Sequence, residues 1–410
     1  MRCANGKRLK EMDPALLTPL LDPAYVYQPR FDNDADRAVL ALVSQAEIDE
    51  FLTHYEMTPL RRETMRNLPQ GGEEWKHRYI EEETGKVVFT RDNRMTGSTT
   101  AGLVGLGFRG FSESALEFLY HTFEGNANCE YGKQHEEIAV QLQVAYLAMT
   151  REYADASRVP VYHQPGEGLL RVDKGLIISE DRNYLSVSDD GEFRFCDGSV
   201  VPNETKCPAP HRGPYPWIPP YYFVQIHLSG YVQGFSRLAF DVYTHDHSIL
   251  CEFALDQGFL RRFLLPALDD AFFNFLLPRA ILVEKGVLRD GELYPAESPR
   301  PPVRILNAKV NPFSLAKRGG FKERVAATAG DVPIITYPAD IFEADNGLTT
   351  TEEVAGDEED VSATQDLAEE EAMELEAHWP GAIVVDLSHL VDSAALLTPR
   401  DTVRVFLEAH

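Results

Sequence analysis

Helical and extended hydrophobic patterns alternate along this 410-residue chain and predict a mixed protein of helices and strands, α/β in the broad sense. Three observations carry that expectation. Residues 184–205 read as a small antiparallel meander. In it Tyr184, Ser186 and Ser188 alternate with Leu185 and Val187, the period of a half-buried strand, while Asp190-Gly191 and Asp197-Gly198 are turn dipeptides. Two further strands are expected at 237–244 and 249–254. Helical spacing of apolar residues marks 34–55, 132–146 and 256–277.

Composition narrows the classes. A hydrophobic content of 44% is ample for a packed core, and the length suits two or three domains or one large domain with extensions. The amino terminus lacks the apolar run of a signal peptide. The most apolar stretch, around 259–277, is broken by Arg261, Arg262, Asp269 and Asp270, so no membrane span is expected. Five cysteines, an odd number without a Cys-x-x-Cys pair, suggest reduced thiols in a soluble, intracellular protein. The net charge of −26 is unevenly spread: residues 326–399 hold 18 acidic side chains and no Lys or Arg, leaving −8 on the rest. That argues against indiscriminate coating of nucleic acid. It leaves room for a local basic groove, because potential is set within a Debye length of ~8 Å.

Taken in order, residues 1–68 are an extension of loops with one helix over 34–55, striped by Ala38, Leu40, Leu42, Val43, Ile48 and Phe51. Gly102, Gly105, Gly107 and Gly110 fit neither a dinucleotide fingerprint nor a Walker motif, which excludes a phosphate loop. A helix follows, capped by Ser114 with Glu117 three residues on and a core face of Leu116, Leu119, Tyr120 and Phe123. The helix at 132–146 opens with Glu136 and Glu137. A strand at 168–178 leads into the meander. At the end of the meander Glu204 and Lys206 are separated by one residue, so a strand projects both from one face. The turn brings Asp190 beside them. Two carboxylates and a lysine are what a divalent-metal phosphodiesterase requires: oxygen donors for a hard cation and an ammonium near the attacking water.

Here the sequence resembles a known family. Ser188-Asp189-Asp190-Gly191 followed by Glu204-Thr205-Lys206-Cys207-Pro208 is similar to the PD-(D/E)xK signature. Within that superfamily it resembles the YqaJ-like viral recombinase and lambda exonuclease group. Gln70, Trp75 and Arg78, then Arg94-Met95-Thr96-Gly97-Ser98, follow the family's opening pattern. Gly132, Glu136 and Ala139 match its Gly-x-x-x-Glu-x-x-Ala helix. Gln225 and His227 fall where its Tyr-x-x-Gln-x-Gln helix has two glutamines. Asp189 replaces the usual proline and is a rival to Asp190. Pro202-Asn203 stands where an apolar pair is usual, which suggests a bulge or an edge position.

The resemblance spans about residues 70–280. It implies an α/β restriction-endonuclease-like core, a mixed central sheet flanked by helices, as a domain over 69–300. It implies a Mg²⁺-dependent DNA exonuclease acting on duplex ends, with Mn²⁺ able to substitute, or an endonuclease or junction resolvase on the same core. A non-catalytic DNA- or protein-binding descendant is the alternative outside enzymes. Asp190, Glu204 and the Thr205 carbonyl would hold the metal, and Glu136 would support a second ion. Lys206 would orient water, and Gln225 would lie near the site. Arg94, Ser98 and Ser188 would bind the DNA end. For Arg94 and Ser98 a solvated arginine and a helix cap stay open, and for Gln225 a core-bridging role. Relatives work with a strand-annealing protein and form toroidal oligomers.

Other chemistry finds less support. His245-x-His247 lacks a second ligand pair for zinc, and no Gly-x-Ser-x-Gly element marks a serine hydrolase. Beyond the resemblance, 301–342 reads as a linker with short strands. The acidic stretch 343–378 is expected to lack fixed structure, and 379–410, with strands near 382–390 and 402–407, to dock on the core.

Overall fold

The computed structural model describes residues 21–22, 24–69, 71–122, 125, 127–136, 139, 175–188, 190–194, 200–208, 219–243, 247–310, 312, 333–336 and 383–386. Helices α1 (Asp34–Leu40), α2 (Gln45–Leu52) and α3 (Pro59–Asn67) come first. The single helix expected over 34–55 is therefore two. Ser44 is the reason. Its hydroxyl accepts from the Glu47 amide while the Glu47 carboxylate accepts from the Ser44 amide, a capping box that starts a new helix.

A short helix α4 (Glu73–Lys76) precedes the antiparallel pair β1 (Arg78–Ile80) and β2 (Val87–Phe89). Strand β3 (Met95–Thr96) runs into α5 (Gly97–Leu103), which is followed by α6 (Phe111–Tyr120). A Cβ on Gly102 would lie 1.9 Å from Ser114 Oγ, so glycine there lets α5 press against α6. Ser114 is thus buried in the body of α6 rather than capping it; Gly110 is the N-cap. The core face of α6 is Phe111, Ala115, Phe118 and Leu119, whereas Leu116 and Tyr120 are only partly buried. Phe123 lies outside the described residues. So do most residues of the expected 132–146 helix beyond 136, the observed helix α7 (127–136) starting five residues earlier than expected, and residues 168–174 of the expected strand.

Strands β4 (Ile177–Ile178) and β5 (Leu185–Val187) join β3 in a small sheet ordered β3-β5-β4, parallel on one side and antiparallel on the other. The main sheet takes β6 (Gly191–Arg194), β7 (Val200–Lys206), β8 (Arg237–Tyr243), β9 (His247–Ala254), β10 (Pro333–Thr336) and β11 (Ile383–Asp386) in the order β11-β10-β9-β8-β7-β6. Helix α8 (Pro220–Gln233) lies in the crossover between parallel neighbours β7 and β8. The meander expected over 184–205 is thus divided between two sheets. Only β6 and β7 pair as a hairpin. As the central strand of its own sheet, β5 is buried on both sides, with Leu185 and Ser186 each 0% exposed, instead of half-buried. On β7, pairing with β6 ends at Asn203, where pairing with β8 begins, so Pro202 sits where the ladder is one-sided and its missing N–H costs nothing on the other side. The strand expected within 382–390 is seen as β11 at the sheet's outer edge. Residues 402–407 lie outside the described residues.

The core is organised on α9, a continuous helix over 257–284 with two wide turns at Leu260–Leu264 and Asp270–Leu276. Phe259, Phe263, Phe272 and Phe275 are all fully buried along it. The amino-terminal segment packs on the same helix through Tyr25 against Phe263 and Phe31 against Phe275. A buried ion pair joins them: Arg279 meets Asp36 at 2.5 Å with both side chains at 0% exposure, and Tyr294 donates to the same carboxylate. Among the described residues no helix is long and apolar enough to cross a membrane.

Candidate active site

Glu204 and Lys206 share one face of β7, as the strand period requires. The Lys206 ammonium donates to Glu204 Oε1, and Gln225 Nε2, from α8, donates to the same oxygen. Glu204 is 2% exposed, so this carboxylate is removed from water and held from two sides. Asp190, in the bend before β6, is pinned to β7: its Oδ2 accepts from the Thr205 amide at 2.9 Å and its own amide donates to Asn203 O at 3.2 Å. Asn203 Nδ2 donates to Thr205 Oγ1 at 2.8 Å, which fixes the intervening backbone.

The charges explain why the lysine stays here. Burial alone would lower the Lys206 pKa, but the nearby carboxylates of Glu204, Asp190 and Glu136 outweigh it and push the value above the ordinary lysine range. The ammonium is therefore fully charged at neutral pH. Burial also pushes the Cys207 thiol up, and Asp241, Glu136 and Asp190 push it further, so this cysteine is an un-ionised neighbour and not a nucleophile. Glu136, Asp190 and Glu204 thus converge electrostatically on one ammonium. Among the described residues no three His, Cys, Asp or Glu side chains come together closely enough to hold a metal. Lys206 supplies the cation in this arrangement. The donor chemistry nevertheless suits a hard divalent ion: surplus carboxylate charge and oxygen ligands, with the Thr205 carbonyl between Glu204 and Lys206 in sequence.

Beside these groups is a cleft of about 50 Å³ whose walls include Arg91, Ser98, Ser188, Glu204, Gln225 and Ser229. Gln225 and Ser229 stand one helical turn apart on α8, which is why both face it. Ser98 comes from the first turn of α5. A Cβ on Gly97 would lie 3.1 Å from Gln225 Cγ, a contact tight enough to disturb that side chain, so glycine lets α5 approach α8 here. The structure therefore brings Ser98, Ser188, Glu204 and Gln225 to one cleft, with Asp190, Thr205 and Lys206 adjoining it through β7.

Arg94 is not brought there. It is 1% exposed, donates to Phe89 O and lies over the Tyr55 ring at 5.2 Å. A guanidinium so buried cannot reach a phosphate in solvent. The cation on the cleft wall is Arg91, missed in the sequence, which stacks over Trp75 at 4.9 Å and pairs with Asp92 at 3.1 Å. Two arginines three residues apart carry no sequence signal of which faces outward; the only hint was Trp75, a ready partner for an exposed guanidinium. His227 is not on the cleft wall either. It is fully buried, accepting from the Asp256 amide at 2.9 Å through Nε2 and contacting Phe223 O at 2.8 Å through Nδ1. Gln70 and Asp189 lie outside the described residues.

No family model and no curated relative matches the chain. Among solved structures it is similar to an alkaline exonuclease, LHK-Exo, from Laribacter hongkongensis, at 16% identity and a TM-score of 0.32, over 48% of this chain and 93% of that one. The structure of LHK-Exo in complex with dAMP gives 16% identity and a TM-score of 0.32, over 47% and 92%. A likeness this slight fixes neither fold nor activity for this chain.

Proposed function

We propose that this chain is a Mg²⁺-dependent DNA nuclease built on a restriction-endonuclease-like core, and specifically an exonuclease that degrades linear duplex DNA from its ends. The observation that carries the reading is the bridge at Glu204 Oε1, which receives both Lys206 and Gln225 at the wall of a cleft with Asp190 pinned alongside. A structural ion pair needs no third donor and no adjoining cleft.

In this reading Asp190, Glu204 and the Thr205 carbonyl would hold the ion, and Glu136, whose charge also acts on Lys206, would support a second. Bound there, the ion supplies Lewis acidity and a water of lowered pKa; Mn²⁺ would substitute. The chain's own residues do the rest. The Lys206 ammonium holds the attacking water and offsets charge that builds on the non-bridging oxygens of the scissile phosphate. Gln225 keeps the Glu204 carboxylate oriented when the lysine turns to substrate. Ser98 and Ser188 donate hydroxyls to the phosphate of the DNA end, and Arg91 adds a charge-assisted donor. Roles in viral or phage recombination, a strand-annealing partner and homo-oligomerisation remain expectations of the same reading.

The test is degradation of linear duplex DNA with Mg²⁺ by the wild type beside Glu204→Ala and Lys206→Ala, each checked for an unchanged circular dichroism spectrum. Loss of cleavage in both variants is expected. Unchanged turnover in either would overturn the assignment.

A further inference from the structure

The site contains an aromatic ring that the chemistry described so far does not use, the tyrosine three residues before Gln225 in the Tyr-x-x-Gln pattern. Tyr222, on the first turns of α8, places its ring under the Lys206 ammonium, with Nζ 5.5 Å from the ring centroid. The ring is itself braced: it packs edge-on to Tyr221 at 4.4 Å and tilted against Phe240 of β8 at 5.7 Å. Phe240 is paired across the ladder with Glu204, so the ring, the carboxylate and the lysine are tied to the same two strands. Tyr222 and Gln225 are three residues apart and therefore lie on one face of α8. That face meets the β7 pair twice: Gln225 grips Glu204, and Tyr222 lies under Lys206.

From this juxtaposition we infer that Tyr222 is a positioning residue for Lys206, its ring face clamping the ammonium in the site; the inference rests on the catalytic reading given above. The physical need is specific. A lysine head is a point charge on a flexible four-carbon stem with three equivalent donors, and one hydrogen bond does not fix its direction. Glu204 binds the ammonium on one side only. A π face attracts a cation within about 6 Å of its centroid, most strongly where water is scarce. Such a ring keeps the ammonium beside β7 without taking a donor hydrogen from it. A further carboxylate bonded to the ammonium would hold it only by taking a donor hydrogen and adding negative charge where a phosphate must approach. The clamp and Gln225 then act as a pair, one holding the lysine and the other the glutamate, both delivered by one helix.

The experiment varies the ring's electron density at constant shape. Tyr222→Phe keeps the π face, and phenylalanines with one, two and three ring fluorines installed at position 222 weaken it stepwise. With Mg²⁺ and linear duplex, Tyr222→Phe is expected to stay within about two-fold of wild type. The logarithm of kcat should fall steadily with fluorine number, and Tyr222→Leu should lose about 3- to 30-fold, with KM little changed. A flat fluorine series overturns the inference, since packing alone does not sense the quadrupole. A second readout works without turnover. In protein carrying ¹³C-labelled lysine, the Lys206 Hε protons should show an upfield ring-current shift that Tyr222→Phe retains and Tyr222→Leu abolishes. No change in Tyr222→Leu would overturn the clamp. An inactive wild type with the shift present would instead sink the nuclease reading and leave the clamp standing.

Discussion

In the folded protein both ring nitrogens of His227 are committed. Nε2 accepts from the amide of Asp256, the residue whose carboxylate caps the start of α9, so the proton sits on Nδ1 and is donated to Phe223 O within α8. Protonation would place a second N–H against the Asp256 N–H in a site with 0% exposure. Burial accordingly pushes the imidazole from 6.5 down to about 4, with the Phe223 carbonyl and the Asp256 carboxylate opposing it only in part. The sign follows directly. The folded state prefers the neutral ring, so between these values the unfolded chain binds more protons. The stability tied to His227 is fully present above about pH 6.5 and is lost as pH falls through the window to about 4. Over that window the loss is on the order of 3 kcal/mol. His227→Gln removes the titration while leaving an amide oxygen able to accept from Asp256. Urea midpoints measured from pH 7.5 to 4 should show the wild type losing about 3 kcal/mol more than the variant, every other titrating group being common to both. Parallel curves would refute the claim that this ring is a neutral buried strut.

Two further substitutions separate roles that sequence alone confuses. Arg91→Ala is expected to raise KM for a phosphorylated DNA end by about tenfold with unfolding unchanged, as for a lost charge-assisted contact. Arg94→Ala should leave KM alone and destabilise the fold by about 3 kcal/mol through its buried volume and the Phe89 carbonyl it leaves unbonded; steady-state kinetics beside urea titrations decide between them. Asp36→Ala strands the Arg279 guanidinium in the core and should cost about 3–5 kcal/mol. Thermal unfolding would read that cost, and a neutral result would contradict the anchoring of the amino-terminal helices on α9.

Much of the site could be read from residue spacing. Glu204 and Lys206 had to share a face because strand parity permits nothing else, and Gln225 was placed on a helix that lies beside them. The limits of that reading were physical. A period-two pattern gives each strand an inside and an outside but not a partner, so Leu185–Val187 read as part of the meander although they belong to another sheet. The break between α1 and α2 was written in Ser44 and Glu47, a capping pair outweighed by the longer hydrophobic stripe. Arg91 and Arg94 differ only in which way a short turn and a two-residue strand point them. His227 fell at a motif position yet serves packing, because the next helix supplies its partner from 29 residues downstream.

The central claim is that the bridge at Glu204 belongs to an end-dependent, metal-dependent nuclease. The most direct measurement incubates the protein with linear and with covalently closed duplex DNA, in Mg²⁺ and in EDTA, beside Glu204→Ala. The account predicts loss of the linear form alone, in Mg²⁺ alone, and by the wild type alone. Cleavage of closed circles would make the protein an endonuclease. Cleavage that persists in EDTA or in Glu204→Ala would contradict the site itself.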